Sequence, residues 1–187
     1  MPCQDSFMNQ STGGRKPLFQ ARAEIRISAR PKEVYAVISD LRRSGEWSPE
    51  CRGGEWISGE PGTAGAVFRG HNERGSDVVA WAPVVRGHWI TTCEVVEAEP
   101  DRTFCWAMCS RSGERQESVW GFGVEQVGDE SVLVHHFLMT EPTEGIREIT
   151  AQMDVAEKTN FFFEWGEKVQ RDMEVTVARI KRVIEED

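Results

Sequence analysis

Residues 161–185 constrain the fold more than any other part of the chain. Phe161, Phe162, Trp165, Val169, Met173, Val177, Ile180 and Ile184 recur at steps of three and four, which places them on one face of a helix. Glu167, Lys168, Arg171, Asp172, Glu174, Arg179, Lys181, Arg182 and Glu185 cover the other face, so water takes that side and a hydrophobic surface takes the first. At a rise of about 1.5 Å per residue such a helix spans roughly 37 Å and needs a partner as broad as a small domain. The stripe opens with aromatics and closes with Val, Met and Ile. Two readings are open: the whole stripe packs on a solid core, or its aromatic end roofs a cavity.

The expected partner is a run of strands. Residues 21–29 alternate Ala21, Ala23, Ile25, Ile27 and Ala29 with Arg22, Glu24, Arg26 and Ser28, a half-buried strand that Arg30 and Pro31 stop. Pro31 suits the first turn of a helix, and Val34, Tyr35, Val37, Ile38 and Leu41 follow at helical spacing. A break at Ser44-Gly45 precedes a second short helix or turn over residues 46–51. Strands are expected over residues 53–58, 66–74, 88–98, 102–109, 117–127 and 131–140, with turn chemistry at Pro61-Gly62, Pro100-Asp101 and Gly128-Asp129. Residues 76–87 carry Val78, Val79, Trp81, Val84 and Val85 around Pro83, which cannot donate to a ladder, so this segment reads as irregular or an edge. Residues 145–159 read as a loop or short helix feeding the long one. Strands grouped between terminal helices mean α+β, with an antiparallel sheet curling around the last helix. A strongly curved sheet does not sit flush on a straight helix everywhere, which favours a hole between them.

With 187 residues the chain is long enough for one domain with a real core and no disulfide staples. Its net charge of −9 repels nucleic acid and anionic membrane surfaces. Small neutral or apolar molecules are then the expected partners, and no nucleic acid is. Seven Trp and nine Phe against one Tyr is a heavy load of apolar rings, which either fill a core or line a pocket. No run is apolar enough for a membrane span, and the first residues carry no secretory h-region, so the expected location is the cytoplasm. Cys3, Cys51, Cys93, Cys105 and Cys109 form no C-x-x-C pair and read as free thiols. His135 and His136 are adjacent, so on a strand they point to opposite faces and do not chelate one metal together. No metal or cofactor is expected, and either a monomer or a homodimer is compatible.

The order of elements, with VYAVISDLRRSGEWSPEC, GAVFRGHNERG, HWITTCEVVEAEPDRTFCW and a closing amphipathic helix, resembles the SRPBCC or START-like superfamily, within it the polyketide cyclase/dehydrase branch. The resemblance covers residues 20–186. It implies a helix-grip fold, a curved antiparallel β-sheet wrapped around a long C-terminal α-helix with an internal hydrophobic cavity, forming a single domain over residues 20–187 after a flexible tail of residues 1–19. Members of this superfamily bind lipids, sterols, hormones and polyketides, and some cyclise or dehydrate polyketides. The insertion SDVVAWAPVVRGH, residues 76–88, departs from the pattern by being longer and more apolar than a simple hairpin.

A cavity of this kind is expected to be lined by the larger side chains of the concave face: Trp47, Phe68, Asn72, Trp89, Trp106, Met108, Trp120 and Phe122. The aromatic half of the long helix adds Phe162, Trp165, Val169 and Met173. A slip of one residue would exchange each strand's set for its opposite face. Ring-closing chemistry needs a proton acceptor and a cation near a developing enolate, and Arg69 with His71, two residues apart on one strand, are the candidate catalytic pair; solvation of both on the outer face is the competing reading. Whichever of His135 and His136 points inward reads as a hydrogen-bonded interior histidine. Three functions follow: a carrier, sequestering or self-resistance protein for a small hydrophobic ligand such as a secondary metabolite; a polyketide aromatase/cyclase or dehydratase using the same cavity; and a co-chaperone-like interaction module, which exposed Trp56 and Trp81 would favour.

Overall fold

The computed structural model describes residues 17–186; Cys3 and most of the expected tail lie outside the described residues. Seven strands form one sheet: β1 (Phe19–Ile27), β2 (Cys51–Ser58), β3 (Val67–Arg74), β4 (Gly87–Glu99), β5 (Thr103–Cys109), β6 (Arg115–Val127) and β7 (Glu130–Met139). Their order across the sheet is β1-β7-β6-β5-β4-β3-β2, every pair antiparallel. Register irregularities interrupt the ladders between Cys51 and Gly54, between Val95 and Glu97, and between Ala107 and Cys109. An extra residue bends its strand and raises the local twist, and these interruptions curl the sheet.

Helix α1 (Pro31–Ile38) follows β1, with Pro31 in its first turn and the Glu33 carboxylate accepting from the Arg30 N–H at 2.8 Å. A 3-10 turn at Leu41–Arg43 leads into a single-turn helix α2 (Ser44–Trp47). Ser44-Gly45 therefore continues a helical segment and does not break one. A short helix α3 (Glu144–Thr150) precedes the long helix α4 (Val155–Glu186). Helix α4 starts earlier than its apolar stripe because Asp154 and Glu157 close a reciprocal cap, each backbone N–H donating to the other's carboxylate at 2.9 Å. Residues 155–160 are all exposed, so no apolar period marks that turn.

Helix α4 runs along β1 inside the curl, so the fold is a helix grip. Its side chains also occupy main-chain groups of that edge strand and the residue after it. Gln170 Nε2 donates to Arg22 O at 3.0 Å, Lys181 Nζ to Arg26 O at 2.8 Å, and the Ser28 N–H to Glu185 Oε1 at 2.7 Å. Phe161, Val169, Met173, Val177 and Ile180 are buried against one core with Phe104, Phe122, Leu133 and Phe137 of the sheet. Lys168, expected on the water side, is buried instead.

Candidate functional site

Strand register decides which side chains meet beneath α4. Trp106 of β5 stands opposite Trp120 of β6, Trp120 opposite Phe137 of β7, and Phe137 opposite Ala21 of β1. The next row runs Phe104, Phe122, His135 and Ala23. Met108 faces Cys93, Cys93 faces Phe68, and Asn72 faces Trp89. The rings interlock, with Trp120 stacked on Phe137 at 4.0 Å between centroids and Phe122 stacked on His135 at 4.3 Å. Trp47, from α2, meets the face of this row edge-on, 5.6 Å from Phe122.

Apart from Trp47 on α2, the sequence-selected lining residues thus lie on the inner face or on α4. Phe68, Asn72, Phe122, Val169 and Met173 are buried. Trp89, Trp106, Met108, Trp120, Phe162 and Trp165 are partly exposed, although all except Trp89 pack against the core. Asn72 spends its amide on Gly70 O at 3.2 Å and Thr91 Oγ1 at 3.0 Å.

Arg69 and His71 are not part of this set. They alternate with Phe68, Gly70 and Asn72 and so lie on the outer face, exposed, where Arg69 pairs with Glu55 at 3.3 Å and His71 approaches the same carboxylate at 4.0 Å. The inward histidine is His135. Its Nδ1 lies 2.9 Å from the Gly121 carbonyl oxygen, which only accepts, so the proton sits on Nδ1 and Nε2 carries a bare lone pair. Burial pushes its pKa down to about 3, outweighing the Gly121 hydrogen bond, and the ring is neutral at ordinary pH. A group so weakly basic is a poor general base near neutrality. His136 points outward over Gly121, 3.7 Å from Cys105 Sγ, and burial with Arg22 nearby holds its pKa at about 4. Burial also pushes the thiol of Cys93 well up, so it behaves as a small core residue.

Sequence reasoning missed a charge cluster at the end of the grip where Trp89 lies. Glu50 takes Arg74 at 2.6 Å and Lys168 at 2.6 Å, while Lys168 also reaches Asp172 at 2.6 Å. The Arg74 guanidinium stands 4.3 Å from the Trp89 ring centre and 5.0 Å from that of Trp165. Burial favours a protonated Glu50, but Arg74 and Lys168 outweigh it and hold the carboxyl below its usual range. Two cations and two carboxylates balance, tying β3 and the segment before β2 to α4. Positions 50, 74 and 168 share no spacing, so only the Lys168-Asp172 step was visible in the sequence.

The insertion is folded against this end. Val79, Ala82 and Val84 are buried, and the Arg86 guanidinium gathers the carbonyls of Val78, Val79, Ala82 and Val84 at 3.0 to 3.3 Å. Trp81 donates to Glu164 of α4 at 3.0 Å and sets its ring edge-on to Phe161. Trp81 remains 46% exposed, whereas Trp56 packs on Phe68. A separate groove of about 610 Å³, lined by Arg30, Lys32, Asp101, Arg102 and Glu125 among others, opens at the opposite end of β4 from Trp89. Pro31, Thr103, Val124 and Gln126 complete its lining, so the groove mixes charged with apolar walls and reaches the inner face at Val124, the next inward position after Phe122.

The profile of a family described as polyketide cyclase / dehydrase and lipid transport matches residues 19–185. The chain belongs to this family. Among solved structures, a Polyketide_cyc-like protein of Corynebacterium glutamicum is 28% identical, with 91% of this chain and 93% of that one covered at a TM-score of 0.57. The Zhui aromatase/cyclase of a Streptomyces species is 12% identical, covering 89% and 93% at a TM-score of 0.61, a likeness of fold. No curated protein matches the chain. Among the described residues no helix of this family member is long and apolar enough to cross a membrane.

Proposed function

We propose that this protein binds a small hydrophobic molecule between the inner face of the sheet and α4, as a carrier or sequestering protein. One observation carries the reading: Trp106 and Trp120, side by side in the middle of the inner face and packed on the core, are only partly buried. A ring in that position touches solvent-sized space only where helix and sheet do not close on each other. The apolar rows around it supply affinity at about 25 cal/mol per Å² of ligand surface buried.

A ring-closing enzyme on the same face has less support. Its candidate pair, Arg69 and His71, lies on the outer face, and the one inward histidine is a weak base. Titration with polycyclic aromatics, fatty acids and sterols, followed by tryptophan emission, tests the binding reading. Saturable quenching that diminishes in W106F and W120F supports it; no response from the folded protein to any class refutes it.

A further inference from the structure

Strand β1 runs along α4, and contacts at four levels fix its line. The Ser28 N–H donates to Glu185 at 2.7 Å, Lys181 donates to Arg26 O at 2.8 Å, Gln170 donates to Arg22 O at 3.0 Å, and a Cβ at Gly166 would lie 2.9 Å from the Phe19 ring. Going back along the chain from Ser28 to Phe19 therefore goes up the helix from Glu185 to Gly166. The strand stops there, while the helix continues toward its N-terminus as far as Val155, about 16 Å further.

That upper stretch of helix is an unpartnered face. Residues 155–160 are exposed on every side, Val155 is 82% exposed and Phe163 is 68% exposed. At about 100° per residue, Val155, Thr159 and Phe163 fall within about 80° of one another, and Gly166 and Gln170, which meet β1, point within the same arc. The two exposed apolar side chains thus extend the face that β1 already covers, unlike apolar residues scattered singly over a surface.

The chain supplies an occupant for this face. Residues 1–16, MPCQDSFMNQSTGGRK, lie outside the described residues and join the domain at this point, where the Leu18 N–H donates to Met139 O at 3.0 Å. At about 3.3 Å per extended residue, five residues before Phe19 span the distance to Val155. Gly13-Gly14 falls at that end, and glycines permit a tight reversal. The return course brings Phe7 and Met8 back over Phe163. Charge agrees with this occupant. Arg15 and Lys16 reach the level of Glu167, an exposed carboxylate with no ion pair or hydrogen bond among the described residues. Residues 155–167 carry Glu157, Glu164 and Glu167 against Lys158, so two copies meeting through this face would bring like charges together.

We propose that residues 1–16 of this chain dock on the Val155, Thr159 and Phe163 face of α4, with Lys16 paired to Glu167, a reversal at Gly13-Gly14, and Phe7 and Met8 covering Phe163. The docked segment prolongs the β1 contact and steadies the end of the helix that carries Phe162 and Trp165. The contact requires no ligand.

Nitrogen-15 relaxation and amide hydrogen exchange of the full chain test this. The heteronuclear NOE of residues 7–12 should match that of β1. Phe163→Ser should speed exchange of those amides about tenfold, the share of one buried Phe side chain. V175S, which alters an exposed apolar residue on the other side of α4, should leave their exchange unchanged. Thermal melts check that both variants fold, and the wild-type NOE values are read without either. NOE values that fall steadily from Lys16 toward Met1 overturn the docking. High values with exchange unaffected by F163S overturn the assigned face. Protection that disappears on dilution, with a dimer in sedimentation, overturns the own-chain occupant in favour of a second copy.

Discussion

Removing the Glu50 carboxylate isolates two buried cations at once. The Arg74 side chain is 9% exposed and that of Lys168 is 11% exposed, and both address Glu50, which is 21% exposed. Deleting one partner of a buried ion pair costs about 3–5 kcal/mol, because the remaining charge is left without compensation. Here Asp172 still neutralises Lys168 and the stacked Trp89 and Trp165 rings partly stabilise Arg74, so the lower end applies, about 3 kcal/mol. For a domain of this size each kcal/mol lowers Tm by about 2–4 °C, so Glu50→Ala should fall by about 6–12 °C in a calorimetric melt. The double variant E50A/R74M removes the stranded cation as well and should recover part of that loss. The carboxyl's folded pKa lies below its unfolded value, so its contribution is present above the ordinary carboxylate range and is lost as pH falls through the folded pKa. The gap between wild type and E50A should therefore narrow in acid. A Tm change under about 2 °C, or a gap independent of pH down to acid unfolding, would refute the reasoning.

Two further outcomes follow from the β6 and β7 rows. His135 is neutral when folded, with a pKa of about 3 against the usual 6.5, so unfolding takes up a proton in between: its contribution is complete above pH 6.5 and is lost as pH falls through about 3. Stability measured by urea unfolding should decline with a slope of up to about 1.4 kcal/mol per pH unit from this group, and H135F should show a shallower decline below pH 6; parallel curves would contradict it. Gly121→Ala places a Cβ 2.5 Å from both Cys105 Sγ and His136 Nε2 on the outer face, and His136 or the strand has to shift at a cost of about 1–3 kcal/mol, read as a lower urea midpoint.

Much of this arrangement was legible because it is periodic. The step of three and four in α4 and the alternation at Phe104-Trp106-Met108 and Trp120-Phe122 report burial directly, and the register brings those sets together. Arg69 and His71 sit on a strand with the same alternation. Chemistry suggested turning them inward, but bulk on Phe68 and small size at Gly70 decide the face: Phe68 fills the core, while a Cβ at Gly70 would approach Thr91 Oγ1 at 3.1 Å. The early start of α4 went unread because a helix exposed all round has no period, and its only mark is the Asp154-Glu157 cap. Lys168 looked like a solvated charge because its partner Glu50 lies far away in sequence, and ion pairs of that kind leave no local signal. Residues 76–87 read as irregular around Pro83, and their order comes from the four carbonyls gathered by Arg86, a contact set that sequence spacing does not encode.

The indole N–H region of a nitrogen-proton correlation spectrum tests the central claim most directly, since the seven tryptophans report from different places. On addition of the ligand that quenches tryptophan emission most, the assigned Nε1–H resonances of Trp47, Trp106 and Trp120 should move together and saturate, while that of Trp81, which donates to Glu164, stays in place. Shifts confined to Trp81, or none in the three inner rings at saturating ligand, would contradict a binding site between sheet and helix.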